Sequence, residues 1–330
     1  MKWLKTTLIS AAITFPFTAS IAKQETWPTT TVKLVVPYPA GSSNDLLARL
    51  LAPRLEKKYG QTFIVENKPG ASGAIGISEV ARAKPDGYTI LVVSNSMVTN
   101  LAIPDQVKYD VFRDFEPISQ AAVMPVVMVT NQELPVKNVS ELVTLAKSEP
   151  GKLSFGSSGA GGPHHLTAEL FQSVTGTEFL HVPYKGQSPI LMDLLANRIN
   201  AAFVTLGPAL PYIQSGQLTS MGVIGKERSS IAADIPTLAE QGVEGLDLSW
   251  WLGVFVPKGT PASIVASLSE SMAQFNDESD LQQQLNSNAL NYVGDSPAEF
   301  SDELGREIAM WKKLAKEIGL TQGGDHVSGK

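Results

Sequence analysis

Two loops rich in glycine, serine and asparagine are the stretches of this sequence best suited to bind an anion. The first, residues 36–45, runs Val-Pro-Tyr-Pro-Ala-Gly-Ser-Ser-Asn-Asp and leads into leucines at helical spacing. Its prolines exclude a helix within the loop, and its serines, asparagine and aspartate are good N-caps. The loop therefore predicts a helix start whose unpaired N–H groups attract negative charge. An ordinary strand-to-helix turn with a good cap is the alternative interpretation.

The second loop, residues 156–162, has the sequence Gly-Ser-Ser-Gly-Ala-Gly-Gly and precedes Pro163. Proline is favoured as the first residue of a helix, so a second helix start is predicted here. If the two starts lie on opposite halves of the protein, they face each other across one cleft. That arrangement suits a ligand with a carboxylate at each end. A flexible loop without a ligand is the alternative interpretation.

Further candidate residues follow predicted strands, at the ends where open α/β sheets bind ligands. They combine hydroxyl, amide, aromatic and cationic side chains with glycines that permit close backbone approach. The complete set of candidate ligand-binding residues is Tyr38, Ala40, Gly41, Ser42, Ser43, Asn44, Asp45, Ser94, Asn95, Ser96, Ser157, Ser158, Gly159, Gly161, His164, Tyr184, Lys185, Gly186 and Thr205. An acid is unfavourable in an anion site, so Asp45 is assigned mainly a capping or orienting role. For Lys185, a solvated surface lysine is the alternative.

An enzymatic function can be tested against the same residues. The run Gly-Ser-Ser-Gly-Ala at 156–160 is similar to a nucleophile elbow, in which Ser158 and His164 would be nucleophile and base, but alanine replaces the last glycine. His164 and His165 are adjacent and point in different directions, so they suit no shared metal ion. The chain has no cysteine, and residues 70–76 match neither the dinucleotide nor the P-loop fingerprint. We therefore expect no catalytic residue, no metal and no cofactor.

Length, charge and the N-terminal segment limit the compartment and the partners. The chain has 330 residues and a net charge of −6. Residues 1–22 are typical of a signal peptide, because Lys2 and Lys5 precede an apolar run that ends in small residues at Ser20 and Ala22. We expect cleavage after Ala22 and a periplasmic protein. No later stretch is long and apolar enough to span a bilayer, and the acidic balance argues against nucleic acid or a membrane surface.

Apolar runs of strand length alternate with helical patterns along the chain, which predicts an α/β architecture with parallel strands. Two long extended runs, 115–130 and 246–256, bracket a central α/β series. We expect residues 23–124 and 247–330 to form lobe I, residues 125–246 to form lobe II, and the ligand cleft to lie between these discontinuous lobes. Pro53 lies inside a helix predicted over 45–59, where it predicts a kink or a restart.

Six motifs, in order along the chain, carry a resemblance to a known family. They are Val36-Pro-Tyr-Pro-Ala-Gly41 with Asp45, Val65-Glu-Asn-Lys-Pro-Gly-Ala-Ser-Gly73, Lys84-Pro-Asp-Gly-Tyr88, Phe155-Gly-Ser-Ser-Gly-Ala-Gly-Gly-Pro-His-His165, His181-Val-Pro-Tyr-Lys-Gly186 and Val256-Pro-Lys-Gly-Thr-Pro261. Together they resemble the Bug-type solute-binding proteins of tripartite tricarboxylate transporters. The resemblance implies a two-lobed periplasmic-binding-protein fold (type II, Venus flytrap) that closes on an organic anion. Many relatives carry a longer glycine run and a threonine where this chain has Ser42, Ser43 and Asn44.

These observations predict a periplasmic solute-binding protein that captures a small organic carboxylate, either a di- or tricarboxylate or an aromatic acid. The resemblance implies that its partners are the integral membrane permease subunits of the transporter, and we expect the protein to be a monomer. A protein of the same fold that presents its ligand to a membrane histidine kinase is an alternative that the sequence leaves open. A secreted hydrolase that uses Ser158 and His164 is a further alternative.

Overall fold

The computed structural model describes residues 27–102, 107–159, 161–225, 227–246 and 248–318. The predicted signal peptide and the polar C-terminal tail lie outside these ranges. The strands are β1 (Val32–Val36), β2 (Phe63–Asn67), β3 (Thr89–Ser94), β4 (Phe115–Met124), β5 (Val126–Asn131), β6 (Ser154–Ser157), β7 (Leu180–Pro183), β8 (Ala201–Thr205), β9 (Leu218–Val223), β10 (Trp250–Pro257) and β11 (Asn291–Tyr292).

The helices alternate with these strands over most of the chain, as the apolar patterning predicts. They are α1 (Ser43–Tyr59), α2 (Ala74–Ala81), α3 (Ser96–Thr99), α4 (Val111–Asp114), α5 (Val139–Ser148), α6 (Pro163–Thr175), α7 (Gln187–Leu195), α8 (Leu206–Gln214), α9 (Ala262–Gln274), α10 (Ser279–Asn286) and α11 (Pro297–Glu317). Within the described ranges, no helix combines the length and hydropathy needed to cross a membrane.

The first sheet has the strand order β11-β4-β10-β3-β1-β2. Strand β1 runs parallel to both of its neighbours, and Leu34 pairs with Val65 of β2 and Ile90 of β3. This is the arrangement expected of β-α-β units, because a helix returns the chain to the same end of the sheet. Strand β10 is antiparallel to β3 and β4. We call this sheet, with α1–α4 and α9–α11, lobe I.

The second sheet has the strand order β7-β6-β8-β5-β9. Its strand β6 is parallel to β7 and β8, whereas β5 is antiparallel to β8 and β9. We call this sheet, with α5–α8, lobe II. In both sheets the parallel strands lie beside one long antiparallel strand that enters from the other lobe. The carboxyl ends of the parallel strands therefore carry the loops that connect to helix starts.

The chain passes from the first sheet to the second at Pro125. The sequence predicts one extended run over 115–130, but the structure divides it into β4, which ends at Met124, and β5, which begins at Val126. Proline has no N–H to donate to a sheet ladder, so the pairing changes at this residue. The return passage ends at Trp250, the first residue of β10.

Apolar packing is continuous from one lobe to the other. Helix α6 of lobe II contacts α3 and α11 of lobe I. One cluster of buried side chains includes Val93 and Trp251 of lobe I together with Phe155 and Phe203 of lobe II. A second cluster, which includes Leu47 and Ile118, covers the opposite face of the first sheet. The two lobes are therefore in direct contact behind the loops that lie at the strand ends.

Pro53 does not divide its helix, although the sequence predicts a kink or a restart there. Helix α1 is unbroken through Pro53, begins at Ser43 rather than residue 45, and ends at Gly60 with φ of 68°. Helix α8 contains Pro208 and Pro211, which hide its pattern in the sequence, so no helix is predicted there. Pro208 lies in the first turn of α8, where the N–H that proline lacks has no partner in any case, whereas Pro53 and Pro211 lie inside their helices.

Candidate functional site

A cavity of about 380 Å³ lies between the lobes, at the carboxyl ends of the parallel strands. Its wall comes from the loops after β1, β2, β3, β6, β7 and β8 and from the lobe junctions at the end of β4 and the start of β10. The described residues that line it are Tyr38, Ser42, Ser43, Asn44, Ser72, Ser94, Asn95, Ser96, Met124, Ser158, Gly159, Gly162, Pro163, His164, Gly186, Gln187, Thr205 and Trp250.

Four helices of eight or more residues begin at this cavity. Ser43 and Asn44 belong to the first turn of α1, and His164 belongs to the first turn of α6. Gln187 is the first residue of α7, and Thr205 is the N-cap of α8. The first-turn N–H groups of a helix have no partner within the helix and carry the positive end of its dipole. One such end from lobe I and three from lobe II therefore converge on the same space.

Asp45 fixes the shape of the first loop without lining the cavity. Its carboxylate accepts hydrogen bonds from the N–H of Gly41 (2.9 Å), Nε of Arg49 (2.9 Å) and Nδ2 of Asn67 (3.0 Å). Burial alone would raise the pKa of Asp45, but these hydrogen bonds lower it below its usual value. The N-cap of α1 is Ser42, whose Oγ accepts from the N–H of Asp45 at 3.3 Å. Asp45 therefore orders the loop, whereas the capping role that the sequence also allows for it falls to Ser42.

Three hydroxyl groups form a cluster on the lobe I side of the cavity. Oη of Tyr38 lies 2.8 Å from Oγ of Ser94 and also forms a hydrogen bond with Oγ of Ser96. Burial raises the pKa of Tyr38, and the hydrogen bonds to the two serines offset this only in part. The phenol therefore keeps its proton at neutral pH. Asn95 stands between these serines and lines the same wall.

The second loop is held from behind by two histidines. Oγ of Ser157 lies 2.5 Å from Nε2 of His181, and Nδ1 of His165 accepts from the N–H of Gly161 at 3.0 Å. The two imidazole rings stack, with their centroids 4.1 Å apart. Ser157 and Gly161 are thus turned into lobe II, and their neighbours Ser158, Gly159 and Gly162 face the cavity.

His164 is a neutral imidazole at the cavity wall. Its Nδ1 lies 2.7 Å from Oγ of Ser158, and its ring meets the edge of the Trp250 ring. Burial lowers the pKa of His164 to about 4, an effect that the nearby Gln187 amide opposes only in part. The side chain is therefore neutral near pH 7.

The loops after β7 and β8 are joined by a side-chain amide. Oε1 of Gln187 accepts from the N–H of Thr205 at 2.7 Å, and Nε2 of Gln187 donates to Oγ1 of Thr205 at 2.7 Å. Gly186 precedes α7 with φ of 134°, which side chains rarely permit. Tyr184 is turned away and donates to Oδ2 of Asp193 at 2.8 Å; burial, with Asp193, raises its pKa to about 12.

Most of the sequence-predicted residues meet in this cavity, and some do not. The candidates that line it are Tyr38, Ser42, Ser43, Asn44, Ser94, Asn95, Ser96, Ser158, Gly159, His164, Gly186 and Thr205. The candidates outside its lining are Ala40, Gly41, Asp45, Ser157, Gly161, Tyr184 and Lys185. Lining residues that were not predicted are Ser72, Met124, Gly162, Pro163, Gln187 and Trp250. Gly41 lines an adjacent space of about 170 Å³ on the other side of Ser42 and Ser43, and Lys185 is exposed at the surface.

Charge is absent from the cavity wall as far as the described residues define it. The lining residues given above include no aspartate, glutamate, lysine or arginine, and Tyr38 and His164 are both neutral near pH 7. Within the described part of the chain, no group of three or more histidines and acids is arranged to hold a metal ion. The wall thus offers neutral hydrogen-bond donors and acceptors together with apolar surface from Met124 and Trp250.

Comparison with known proteins identifies the family. The family model described as the tripartite tricarboxylate transporter family receptor matches residues 47–320. The chain belongs to this receptor family. BugT of Bordetella pertussis is 31% identical to the receptor over 319 residues, which are 95% of this chain and 98% of BugT. The resemblance to Bug-type proteins is therefore confirmed.

Two solved structures of similar proteins carry bound acids. Rpa4515 of R. palustris, solved with adipate, is 36% identical and superposes with a TM-score of 0.78, covering 89% of this chain and 98% of Rpa4515. MatC of Rhodopseudomonas palustris, solved with malate, is 27% identical with a TM-score of 0.75, covering 88% of this chain and 100% of MatC. The receptor has the predicted α/β periplasmic-binding-protein fold.

Proposed function

We propose that this receptor binds a small organic carboxylate in the cavity between its lobes. The observation that carries the proposal is the convergence of four helix starts on a cavity whose described lining holds no ionised side chain. Unpaired N–H groups and helix dipoles stabilise negative charge, and they act strongly where water is excluded. Neutral donors at fixed positions recognise a carboxylate by geometry, so an acidic protein can bind an anion without a cationic side chain.

The ligands of similar receptors support a dicarboxylate. Rpa4515 was solved with adipate and MatC with malate, and each of these acids has a carboxylate at either end. In this receptor the start of α1 lies in lobe I, whereas the starts of α6, α7 and α8 lie in lobe II. A ligand with two carboxylates would therefore bridge the lobes.

Closure follows from such bridging. We assign residues 23–124 and 247–330 to one moving body and residues 125–246 to the other, with hinges near Pro125 and just before Trp250. A ligand that contacts both lobes stabilises the closed state by the contacts it loses when the lobes separate. The predicted candidates that line the cavity are the residues we propose to contact the ligand.

The Ser158–His164 pair is better explained by binding than by hydrolysis. The two side chains are 2.7 Å apart, as a nucleophile and its base would be. However, a general base works best with a pKa near the working pH, and burial lowers the pKa of His164 to about 4. Among the described residues, no carboxylate pairs with His164 to orient it as in a catalytic triad. We therefore propose that the pair orders the loop and that the receptor is not an enzyme.

The family supports a proposal for the place of action. Receptors of this family work with membrane components of a transporter. We propose that the receptor is exported by cleavage near Ala22, acts in the periplasm as a monomer, and delivers its acid to the permease subunits. For delivery, the permease must distinguish the closed receptor from the open receptor. The proposed movement of the lobes gives these two forms different surfaces.

Calorimetry with matched neutral ligands tests the proposal. Adipate, tricarboxylates and aromatic acids would be titrated into the purified receptor, each beside its uncharged amide. At least one acid is expected to bind more than about tenfold tighter than its amide, because the amide cannot accept from every donor that a carboxylate satisfies. Equal binding of acids and amides, or no binding across the panel, would overturn the proposal. Ester turnover by the wild-type protein that disappears in Ser158→Ala would instead support a hydrolase.

A further inference from the structure

Among the described residues of the cavity wall, two asparagine side chains have a buried polar atom without a hydrogen-bond partner, as does Nε2 of His164. Asn44 is 5% exposed and Asn95 is 1% exposed. Oδ1 of Asn44 and Nδ2 of Asn95 are both buried and have no partner among the described residues. Both residues line the cavity. Buried amide groups in folded proteins are almost always paired, so these two need an explanation.

The fold does not use these two amides. Asn95 is tied into the structure by its backbone, since its N–H donates to the carbonyl of Trp251 at 3.1 Å. By contrast, the side chain of the equally buried Asn131 bridges two loops, donating to the carbonyl of Ile199 and accepting from the N–H of Leu134. The amides of Asn44 and Asn95 form no such bridge. They therefore remain available to a bound molecule.

A carboxylate can pair with the NH₂ group of an asparagine amide but not with its carbonyl group. Each amide carries one carbonyl acceptor and one NH₂ donor, whichever way its ends are assigned. A carboxylate accepts from NH₂ but has no hydrogen to donate to a carbonyl. The carbonyl of Asn44 thus calls for a donor on the ligand. We propose that the ligand is a hydroxy acid, whose hydroxyl donates to Oδ1 of Asn44 while a carboxylate accepts from Nδ2 of Asn95 and from the helix starts. This proposal rests on the carboxylate-binding function proposed above.

An amino group is a weaker candidate for the same donor. An ammonium group buried beside Asn44 would need a negative partner, because a buried unpaired charge is costly. The nearest acid in sequence, Asp45, already accepts from Gly41, Arg49 and Asn67. The described lining of the cavity includes no carboxylate. A neutral hydroxyl meets the requirement without a counter-charge.

The test compares acids that differ by one group. Succinate, 2-hydroxysuccinate and 2-aminosuccinate, with their six-carbon equivalents, would be titrated calorimetrically into the wild-type receptor. For the acid of the wider panel that binds best, the unsubstituted, hydroxy and amino forms are compared in the same way. The hydroxy acid is expected to bind about tenfold tighter than the other two, the size of effect expected for one buried acceptor. Equal binding of the unsubstituted acid overturns the hydroxyl proposal and leaves the carboxylate proposal standing. Failure of every acid overturns both.

Variants of Asn44 test whether this residue causes the preference for the hydroxy acid. Asn44→Leu keeps the approximate size of the side chain but removes its carbonyl. The ratio of the affinity for the hydroxy acid to that for the unsubstituted acid should therefore fall to about one. Asn44→Ala provides the same test if the leucine variant does not fold. The control is Asn291→Leu, since Oδ1 of Asn291 is also buried without a partner but lies outside this cavity. Retention of the full hydroxyl preference in both Asn44 variants would overturn the assignment.

Discussion

The indole of Trp250 meets the imidazole of His164 across the junction of the lobes, with the ring centroids 4.5 Å apart and the planes at 64°. Trp250 begins β10 of lobe I, whereas His164 lies in the first turn of α6 of lobe II. Nε1 of Trp250 also donates to Oγ1 of Thr167 at 3.3 Å, so this side chain contacts α6 at two points. Any movement of the lobes must change the environment of Trp250.

This pair provides an optical readout of ligand binding. We expect a ligand of the cavity to change the tryptophan emission of the wild-type protein, because Trp250 lines the cavity. Trp250→Phe should abolish most of that change and weaken binding about tenfold, since packing area is lost. Trp27→Phe is the matched control, because Trp27 packs on Tyr59 rather than on the cavity. A ligand-induced signal of undiminished size in Trp250→Phe would show that the ligand binds elsewhere.

Asp45 should stabilise the first loop only while its carboxyl group is ionised. We expect Asp45→Asn to lower the free energy of unfolding by about 1 kcal/mol at pH 7, because half-exposed Arg49 is partly screened. The folded-state pKa lies below 3.8, so this contribution is present above the unfolded-state value and is lost as pH falls through the folded-state value.

Urea unfolding between pH 3 and 7 measures this difference. The stabilities of wild type and Asp45→Asn should approach each other as the pH falls, because the wild-type carboxyl group is then progressively protonated. Asp302→Asn, at an exposed position of α11, is the control and should follow wild type throughout. A constant gap at all pH values would show that Asp45 acts through shape alone.

Glu307 should have the opposite pH dependence. This side chain is 3% exposed, and Oε2 accepts from Nε1 of Trp251 at 2.9 Å. Burial raises the pKa of Glu307 from 4.5 to about 8. A raised acid pKa means that the folded state binds a proton that the unfolded state has released. The contribution of protonated Glu307 to the free energy of unfolding is therefore fully present below the unfolded-state pKa. It is lost as the pH rises to the folded-state pKa, by up to about 1.4 kcal/mol per pH unit.

Replacement of Glu307 by glutamine removes that loss, because glutamine keeps the acceptor for Trp251 and never ionises. Relative to wild type, Glu307→Gln should become progressively more stable from pH 5 to 8 in denaturant unfolding. Glu303→Gln, one turn away and paired with exposed Arg306, is the control and should show no such trend. Parallel stability profiles for wild type and Glu307→Gln would contradict a protonated Glu307.

Gly207 permits the lobes to approach at the start of α8. A Cβ on this residue would lie 2.5 Å from Cβ of Ala289, which belongs to lobe I and has φ of 55°. Gly207→Ala should therefore disfavour the present lobe arrangement by about 1–3 kcal/mol and weaken ligand binding about tenfold or more. Gly305→Ala is the control, since its Cβ would meet nothing within 4 Å. Unchanged affinity and unchanged small-angle scattering of Gly207→Ala would show that this contact does not limit the lobe arrangement.

The sequence predicts the helix starts of the site well, because caps and glycines act locally. Pro163 begins α6 as predicted, and Ser42 caps α1. The direction of a side chain, by contrast, depends on partners that are distant in the sequence. Tyr184 is placed correctly after β7, but its hydroxyl turns to Asp193 on α7, a partner that no motif indicates. Ser157 is likewise drawn inward by His181.

The apolar part of the cavity was missed for a related reason. Met124 and Trp250 lie at the ends of strands in which most side chains are buried. In a sequence, an apolar residue that lines a cavity cannot be distinguished from one that packs in the core. Gln187 was missed because its two hydrogen bonds to Thr205 depend on the meeting of two distant loops.

The neutral wall of the cavity determines what accompanies the ligand through a transport cycle. Because Tyr38 keeps its proton and His164 lacks one at physiological pH, neither side chain needs to exchange a proton when an anion arrives or departs. The measured heat of association should then be the same in buffers of different ionisation enthalpy. Loading of the cavity is therefore expected to leave the protonation of Tyr38 and His164 unchanged.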